Sequence, residues 1–374
     1  MLKKIQTIKT SIFFILIAFF LVVGLIVPDR KMSDQENRTL ATFPDFTLER
    51  VMNGKYFSEL SDYISDQFLF RDQFMTMKVK TDKLVGKKES GGVYLGHKGY
   101  LLAKNEEPDK EALNNSIKAI NAFTAKHAES KMMIVPSAGT INPSLLPYGA
   151  PMRDQIKDIQ DFTKQLTNIK IIDTATSLKK YKNEYLYYKT DHHWTTQGAY
   201  REYQNVASQL GIEKPSNDFK KYIVSNSFEG TLASESGDHS HQDEIQIFAP
   251  KKMDVQYYVK YVNENKMSTS VYDSSKLDTK DQYTVFFGGN HPVVEINTTN
   301  TNHKNLLIIK DSYANSFVPF LIPYYSKIIM VDPRYYYDDI NKLIDTYNIN
   351  QYLFLYSANT ILKDTSLADL LNSN

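Results

Sequence analysis

The stretch Leu306-Leu307-Ile308-Ile309-Lys310-Asp311-Ser312-Tyr313-Ala314-Asn315 sets four consecutive aliphatic residues directly before a polar turn, with a helix expected from about Tyr313. A short continuous apolar run bounded in this way reads as a strand covered on both faces. The same texture recurs on either side. Upstream, Pro108 to His127 reads as a helix, Met132-Met133-Ile134-Val135 as a buried strand, Met152 to Thr167 as a helix and Ile169-Lys170-Ile171-Ile172 as a strand. Downstream come Ile328-Ile329-Met330-Val331, a helix over Asp338 to Thr346 and a strand over Gln351 to Tyr356. Strands alternating with helices predict an α/β fold, a three-layer sandwich with a mainly parallel sheet of about five strands.

Between the two halves, residues 215–303 have a different texture. Tyr257 to Val262 and Tyr283-Thr284-Val285-Phe286-Phe287 are strand-like and are joined by long polar segments, so this region reads as a β-rich insertion on the sheet. The α/β domain then covers 106–374. Residues 29–105 read as a stalk and packing region, with apolar residues at helical spacing from Tyr56 to Val79. Gly91 to Gly96 followed by Gly99 to Leu102 reads as a short hairpin. A phosphate loop is the other reading of those glycines, but they lack the GKS/T and GxGxxG spacings.

Residues 1–28 read as a cytoplasmic tail and a membrane anchor. Lys3, Lys4 and Lys9 precede an uncharged run from Thr10 to Pro28, long enough at ~1.5 Å per residue to cross most of a hydrocarbon core. A cleaved signal peptide is the competing reading, but the run is longer than a usual signal core and Leu25-Ile26-Val27-Pro28 has no small-x-small site. The lysines keep the amino terminus cytoplasmic, so a single-pass cell-membrane protein with everything after about residue 30 outside is expected. A net charge of +1 gives no electrostatic case for nucleic acid, and the lack of cysteine removes disulfides, thiolate catalysis and Cys-based zinc sites.

In open α/β sheets, sites lie beyond the carboxyl ends of the strands. Ser312 occupies such a position. It is either a helix cap or a nucleophile whose own N–H helps to hold an oxyanion. Asp191-His192-His193-Trp194, ahead of a helix over Thr195 to Leu210, contains the only tryptophan, and it supplies an imidazole with a carboxylate two residues away. Such a pair is a helix start, a surface loop or an oriented general base. Gly288-Gly289-Asn290 is a turn or a source of oxyanion donors, with Asn315 as a competing donor. Arg334 is a substrate contact or, more ordinarily, one end of a salt bridge. Asp238-His239-Ser240-His241 with Asp243 has metal-binding residue types, although a solvated loop is the plainer reading. Ser227 to Gly237 is placed to cover the site.

Asp191-His192-His193-Trp194, with Lys310-Asp311-Ser312-Tyr313-Ala314-Asn315 downstream, resembles the DHHW family of bacterial extracytoplasmic proteins. That family is similar in turn to the alginate O-acetyltransferases of the SGNH hydrolase superfamily. The resemblance extends to Glu36-Asn37-Arg38, Phe286 to Asn290 and Arg334-Tyr335-Tyr336. It implies an SGNH hydrolase-like fold with permuted motif order, since ordinary members place the serine early and the histidine late. The acetyltransferases' Asp-x-His-Trp falls on Asp191, His193 and Trp194, and their serine on Ser312. His193 then becomes the base and Asp191 its orienter, with His192 and Trp194 as neighbours of the site. The implied function is O-acetyl transfer to a polysaccharide through an acyl-serine, without cofactor or metal, the acyl group being delivered by a membrane-bound O-acyltransferase. A carbohydrate acetylesterase with the same triad and a non-catalytic glycan-binding or assembly protein are the alternatives. A metal phosphoesterase is suggested by the Asp-His-His run alone, and the expected location outside the cytoplasm argues against it.

Overall fold

A computed structural model describes residues 2–252 and 254–373, arranged as two compact units. The first takes the residues up to Gly91 together with Ala233–His239, and the second takes the remainder.

In the first unit, α1 (Leu2–Ile26) is followed by α2 (Lys55–Asp66) and α3 (Arg71–Leu84). The helical spacing from Tyr56 to Val79 is thus divided between two helices. The break falls at Gln67 to Phe70, where Phe70 adopts a left-handed φ of 60° that a helix interior does not accommodate. Glu36 and Arg38 are held at this corner. Arg38 reaches Glu36 at 2.8 Å and Asp66 at 2.8 Å through two different nitrogens, and Arg71 pairs with Glu36. Among the described residues one helix, Lys4–Gly24, is long and apolar enough to cross a membrane, a test that a signal sequence also meets.

The second unit is built on an eight-stranded sheet. In chain order its strands are β1 (Ser130–Val135), β2 (Ile169–Ile172), β3 (Tyr257–Tyr261), β4 (Lys266–Ser268), β5 (Val293–Thr298), β6 (Asn305–Lys310), β7 (Lys327–Val331) and β8 (Gln351–Ser357). Across the sheet the order is β4-β3-β5-β7-β6-β8-β1-β2. β7, β6, β8, β1 and β2 are mutually parallel, pairing Leu306 with Ile328, Leu307 with Tyr352, Phe354 with Met132 and Met133 with Ile172. β5, β3 and β4 continue the sheet in antiparallel pairing from the free edge of β7.

The expectation of a mainly parallel five-stranded sheet is therefore corrected to a mixed sheet. The three added strands come from the region read as an insertion. β5 lacks a continuous apolar run because Glu295 interrupts it, its charge being met by Lys327 at 3.8 Å. Tyr283 to Phe287 is not a strand. Gln282–Val285 forms a 3-10 turn, and Tyr283, Val285, Phe286 and Phe287 are apolar because they fill the core. Phe219–Phe228 and Asp243–Pro250 make a separate antiparallel pair.

Alternate residues of each central strand enter two cores, as the two-residue period of a strand requires. Met133, Leu306, Ile308, Met330 and Leu355 face one side and Met132, Leu307, Ile309, Ile329 and Phe354 the other. Helices cover both faces. On the first side lies α6 (Thr196–Val206), burying Ala199, Tyr203 and Val206. The second side carries α4 (Lys110–Lys126), with Ile120 and Phe123, and α5 (Gln155–Thr163), with Phe162. The helix expected from Tyr313 is α7 (Ala314–Phe317), a single turn that passes into 3-10 turns carrying Pro319 and Pro323, residues that lack the N–H a longer helix needs. Val93–Leu95 and Leu101–Ala103 pair antiparallel, as the hairpin reading expects.

Candidate active site

The carboxyl ends of three adjacent parallel strands converge on Ser312. β6 ends at Lys310, and the next residue, Asp311, accepts hydrogen bonds from the Tyr313 N–H at 3.0 Å and from the Ser357 N–H at the end of β8 at 2.8 Å. Asp311 thereby fixes the turn that carries Ser312. Asp332, just past β7, lies within reach of the same turn through Lys310.

Opposite Ser312, the chain from Tyr187 to Trp194 folds back on itself, the two residues being bridged antiparallel. Asp191 and His193 fall on the same side of this loop. His193 Nδ1 donates to Asp191 Oδ1 at 2.6 Å, and the His193 backbone N–H reaches the same oxygen at 2.9 Å. With its Nδ1 proton given to the carboxylate, the ring presents the Nε2 lone pair, and Nε2 lies 2.7 Å from Ser312 Oγ. Serine, imidazole and carboxylate form one hydrogen-bonded line.

Two aromatic residues lock the loop to the Ser312 turn. Trp194, fully buried, donates its indole N–H to the Tyr313 carbonyl at 2.9 Å, and the Tyr313 hydroxyl donates to the His192 carbonyl. Behind the loop, Asp243 accepts from the Lys189 N–H at 2.9 Å, the Thr190 N–H at 2.7 Å and the Tyr185 hydroxyl. Asp243 is thus a loop anchor, and the metal reading placed on it is set aside. Tyr283 stacks on the His193 ring with centroids 3.9 Å apart and planes 13° apart, and its hydroxyl donates to the Ser312 carbonyl at 3.1 Å.

The segment beyond Ser227 reaches the back of Asp191. Thr231 donates to Asp191 Oδ2 from its backbone N–H at 2.9 Å and from its hydroxyl at 3.1 Å. Gly230 is required here for space: a Cβ on it would lie 2.2 Å from the Asp191 Cβ. Gly230→Ala should therefore push the carboxylate out of line with His193, lowering turnover by about 10²-fold or more while the chain stays folded. Circular dichroism and ester turnover measured side by side check this.

Charge follows from this packing. Burial alone would raise the Asp191 pKa, but the neighbouring His192 and His193, with the hydrogen bonds from His193 and Thr231, hold it well below the usual carboxylate range. His193 is pushed below its ordinary 6.5 by burial first and by His192 second, against the pull of Asp191. The imidazole is accordingly neutral at neutral pH, the form a general base needs. Donor atoms of Asp191, His192 and His193 all lie within 4.8 Å of one another, close enough for one cation. Both Asp191 oxygens and both His193 ring nitrogens are already hydrogen-bonded, and His192 Nδ1 meets Thr231 Oγ1 at 2.7 Å.

The remaining sequence candidates gather around a buried cation. Lys310 Nζ, 1% exposed as a residue, contacts Asn290 Oδ1 at 3.0 Å and Asp332 Oδ2 at 3.2 Å. Burial lowers the Lys310 pKa, with Asp332 opposing. Arg334 closes on Asp332 through two nitrogens at 2.8 and 2.7 Å, so it is one end of a salt bridge. An ammonium only donates, so the Asn290 atom facing Lys310 must be its oxygen, and the exposed Asn290 turns its two amide hydrogens the other way. Asn315 Nδ2 is spent on Asn290 Oδ1 at 3.1 Å and the Gly289 carbonyl at 3.4 Å. Gly288 and Gly289 have φ of 76° and 120°, left-handed values that glycine adopts without strain, and they bring Asn290 to this position.

Tyr283, Thr231, Gly230 and the role of Lys310 escape a reading of the sequence. They lie 37 to 117 residues from His193, with no spacing to mark them.

Fold and site together define an α/β protein with a serine, histidine and aspartate aligned at the carboxyl edge of its sheet. The model of the DHHW protein family matches residues 36–139 and 152–331, and the chain belongs to that family. Among solved structures it is similar to a DHHW family protein from Eubacterium siraeum, at 23% identity over 76% of this chain and 97% of that one, with a TM-score of 0.65. PatB1 of Bacillus cereus, in a structure with a sulfonyl adduct, matches at 21% identity over 72% of this chain and 94% of PatB1, with a TM-score of 0.59. The O-acetyltransferase domain of Pseudomonas putida AlgJ matches at 15% identity over 76% of this chain and 100% of that domain, with a TM-score of 0.46. For the first two of these, at 23% and 21% identity, the likeness is one of fold. A comparison with curated proteins finds no match.

Proposed function

We propose that the protein is a membrane-anchored O-acyltransferase that works outside the cytoplasm and moves an acyl group, acetyl in the first instance, onto a hydroxyl of a cell-surface or secreted polysaccharide. The observation that carries this reading is the line from Ser312 Oγ to His193 Nε2 at 2.7 Å and from His193 Nδ1 to Asp191 at 2.6 Å. The choice of acetyl and of a glycan rests on the resemblance of Asp191 to Trp194 and of Lys310 to Asn315 to the alginate O-acetyltransferases.

The chemistry runs in two halves. His193 Nε2 takes the Ser312 proton as Oγ adds to the donor's carbonyl carbon, and Asp191 stabilises the imidazolium that forms. The tetrahedral oxyanion is held by the Ser312 N–H and the outward amide of Asn290, with Gly289 shaping the loop and Asn315 positioning Asn290. Collapse breaks the bond to the leaving group, which receives the proton from His193. In the second half a sugar hydroxyl gives its proton to His193 and adds to the acyl-serine carbonyl. Collapse then returns the proton to Ser312 Oγ and leaves the sugar ester. An acyl-CoA pool is cytoplasmic, so the acyl group reaches this side through a membrane-bound O-acyltransferase partner, and α1 keeps the two in one membrane.

The test supplies purified protein with a chromogenic acetate ester, with and without an oligosaccharide acceptor. An acetylated oligosaccharide supports transfer. Release of acetate alone, unchanged by acceptor, identifies an esterase and overturns the transfer reading.

The environment of His193 also sets a pH dependence. The base must be neutral, and its pKa lies below 6.5, so the acid limb of kcat/KM should have its midpoint below 6.5. His192→Gln removes the neighbour that, after burial, does most to lower the His193 pKa, so the midpoint should move to higher pH. A pH profile of both proteins checks the sign.

A further inference from the structure

We infer that the corner joining α2 to α3, Phe68-Leu69-Phe70 with Phe74, is a second membrane contact, an apolar wedge seated in the outer leaflet beside α1. This rests on the reading of α1 as a membrane span.

Three aromatic side chains at this corner are left in the open: Phe68 is 41%, Phe70 53% and Phe74 42% exposed. Such a cluster is costly in water and marks a surface that something apolar covers. The span itself indicates what covers it. The Phe20 ring of α1 stacks on Phe68 with centroids 5.1 Å apart and planes 20° apart, and it lies 6.3 Å from Phe74. Phe20 is not at the mouth of the span. It stands six residues before Ile26, about 9 Å at ~1.5 Å per residue, and the first charged residue after the apolar run is Asp29. If residues 21–27 lie in hydrocarbon, the partners of Phe20 lie below the headgroups too.

The corner is also built to tolerate that depth. On either side of its tip the backbone is satisfied internally, the Gln67 N–H by the Tyr63 carbonyl at 2.9 Å, the Arg71 N–H by the Phe68 carbonyl at 3.1 Å and the Phe74 N–H by the Phe70 carbonyl at 3.0 Å. Nearby charges are paired, Arg30 with Asp72 at 2.7 Å and Arg71 with Glu36. The chain leaving α1 is tied to the same corner. The Arg30 N–H donates to Gln67 Oε1 and Gln67 Nε2 donates to the Arg30 carbonyl, both at 2.9 Å, while the Tyr63 hydroxyl donates to Asp29 at 2.9 Å. The wedge is therefore held to α1 at a set height. A protein partner would have to enter the bilayer to cover the same rings.

The chain has no cysteine, so single cysteines can be placed and labelled in the full-length protein without background. An environment-sensitive fluorophore at Phe70→Cys, reconstituted in phosphatidylcholine and phosphatidylglycerol vesicles free of other proteins, is compared with the label at Phe13→Cys in α1 and at Lys164→Cys in the second unit. The wedge predicts that the label at position 70 shifts to shorter wavelength, is quenched by a nitroxide near the headgroup end of a lipid chain and resists aqueous iodide, while the label at position 164 does the reverse. Iodide quenching at position 70 with protection at position 13 overturns the wedge and leaves the span standing. Iodide quenching at position 13 overturns the span and the wedge with it. Phe74→Cys repeats the measurement should the substitution at position 70 disturb the turn.

Discussion

Replacing Ser312 by alanine is expected to lower turnover of an acetate ester by roughly four to six orders of magnitude, with no acyl-enzyme in the mass spectrum. The size of the effect follows from the division of labour. His193 and Asp191 exist in this arrangement to move one proton from the Ser312 hydroxyl, and without that oxygen there is no bond for the acyl group to form. Protein stability should hardly change, by about 1 kcal/mol or less, because the Ser312 side chain bonds to His193 and supports no element of the fold. The backbone duties of this residue, accepting from Tyr283 through its carbonyl, survive the substitution. Loss of activity without loss of folding separates a nucleophile from a cap.

Asp191→Asn should lower kcat by roughly 10⁴-fold and also weaken the fold locally. The carboxylate accepts four hydrogen bonds, two from His193 and two from Thr231. An asparagine has one acceptor atom and one donor group in the same places. If its NH2 faces His193, Nδ1 must become the acceptor, the proton moves to Nε2, and Ser312 meets a donor where it needs a base. If the NH2 faces Thr231 instead, two donors oppose each other at the back of the loop. Either arrangement leaves a buried backbone N–H unpaired, that of His193 in the first and that of Thr231 in the second, at about 1–3 kcal/mol, and should appear as a lower denaturation midpoint alongside the kinetic loss. Measuring kcat and the midpoint on the same preparation checks both effects.

How far the sequence carries can be seen from particular residues. The parallel strands are legible because each is buried on both faces and so appears as an unbroken apolar run, as in Leu306 to Ile309 and Ile328 to Val331. β5 is not legible, since Glu295 sits in its middle and is neutralised by a lysine from another strand, a pairing that no local window contains. The aromatic run at Tyr283 to Phe287 misleads for the opposite reason. Its apolar character serves the core and the stack on His193, with the backbone in a turn. At the site, Asp191, His193 and Ser312 are recognisable by residue type and by position at element edges. That Nε2 and Oγ meet across 119 residues is a fact of tertiary structure. Gly230 and Thr231, 39 and 40 residues from Asp191, and Lys310 beneath Asn290 act through close approach and orientation, which leave no periodic trace in a chain.

The account turns on one oxygen atom, and its most direct test is a covalent one. The full-length protein is treated with a serine-reactive fluorophosphonate, digested and read by mass spectrometry, with His193→Ala treated in parallel. The predicted result is a single adduct on the peptide carrying Ser312, which is lost or greatly slowed in His193→Ala. Folded protein that stays unlabelled at Ser312, or that labels equally well without His193, would contradict the account.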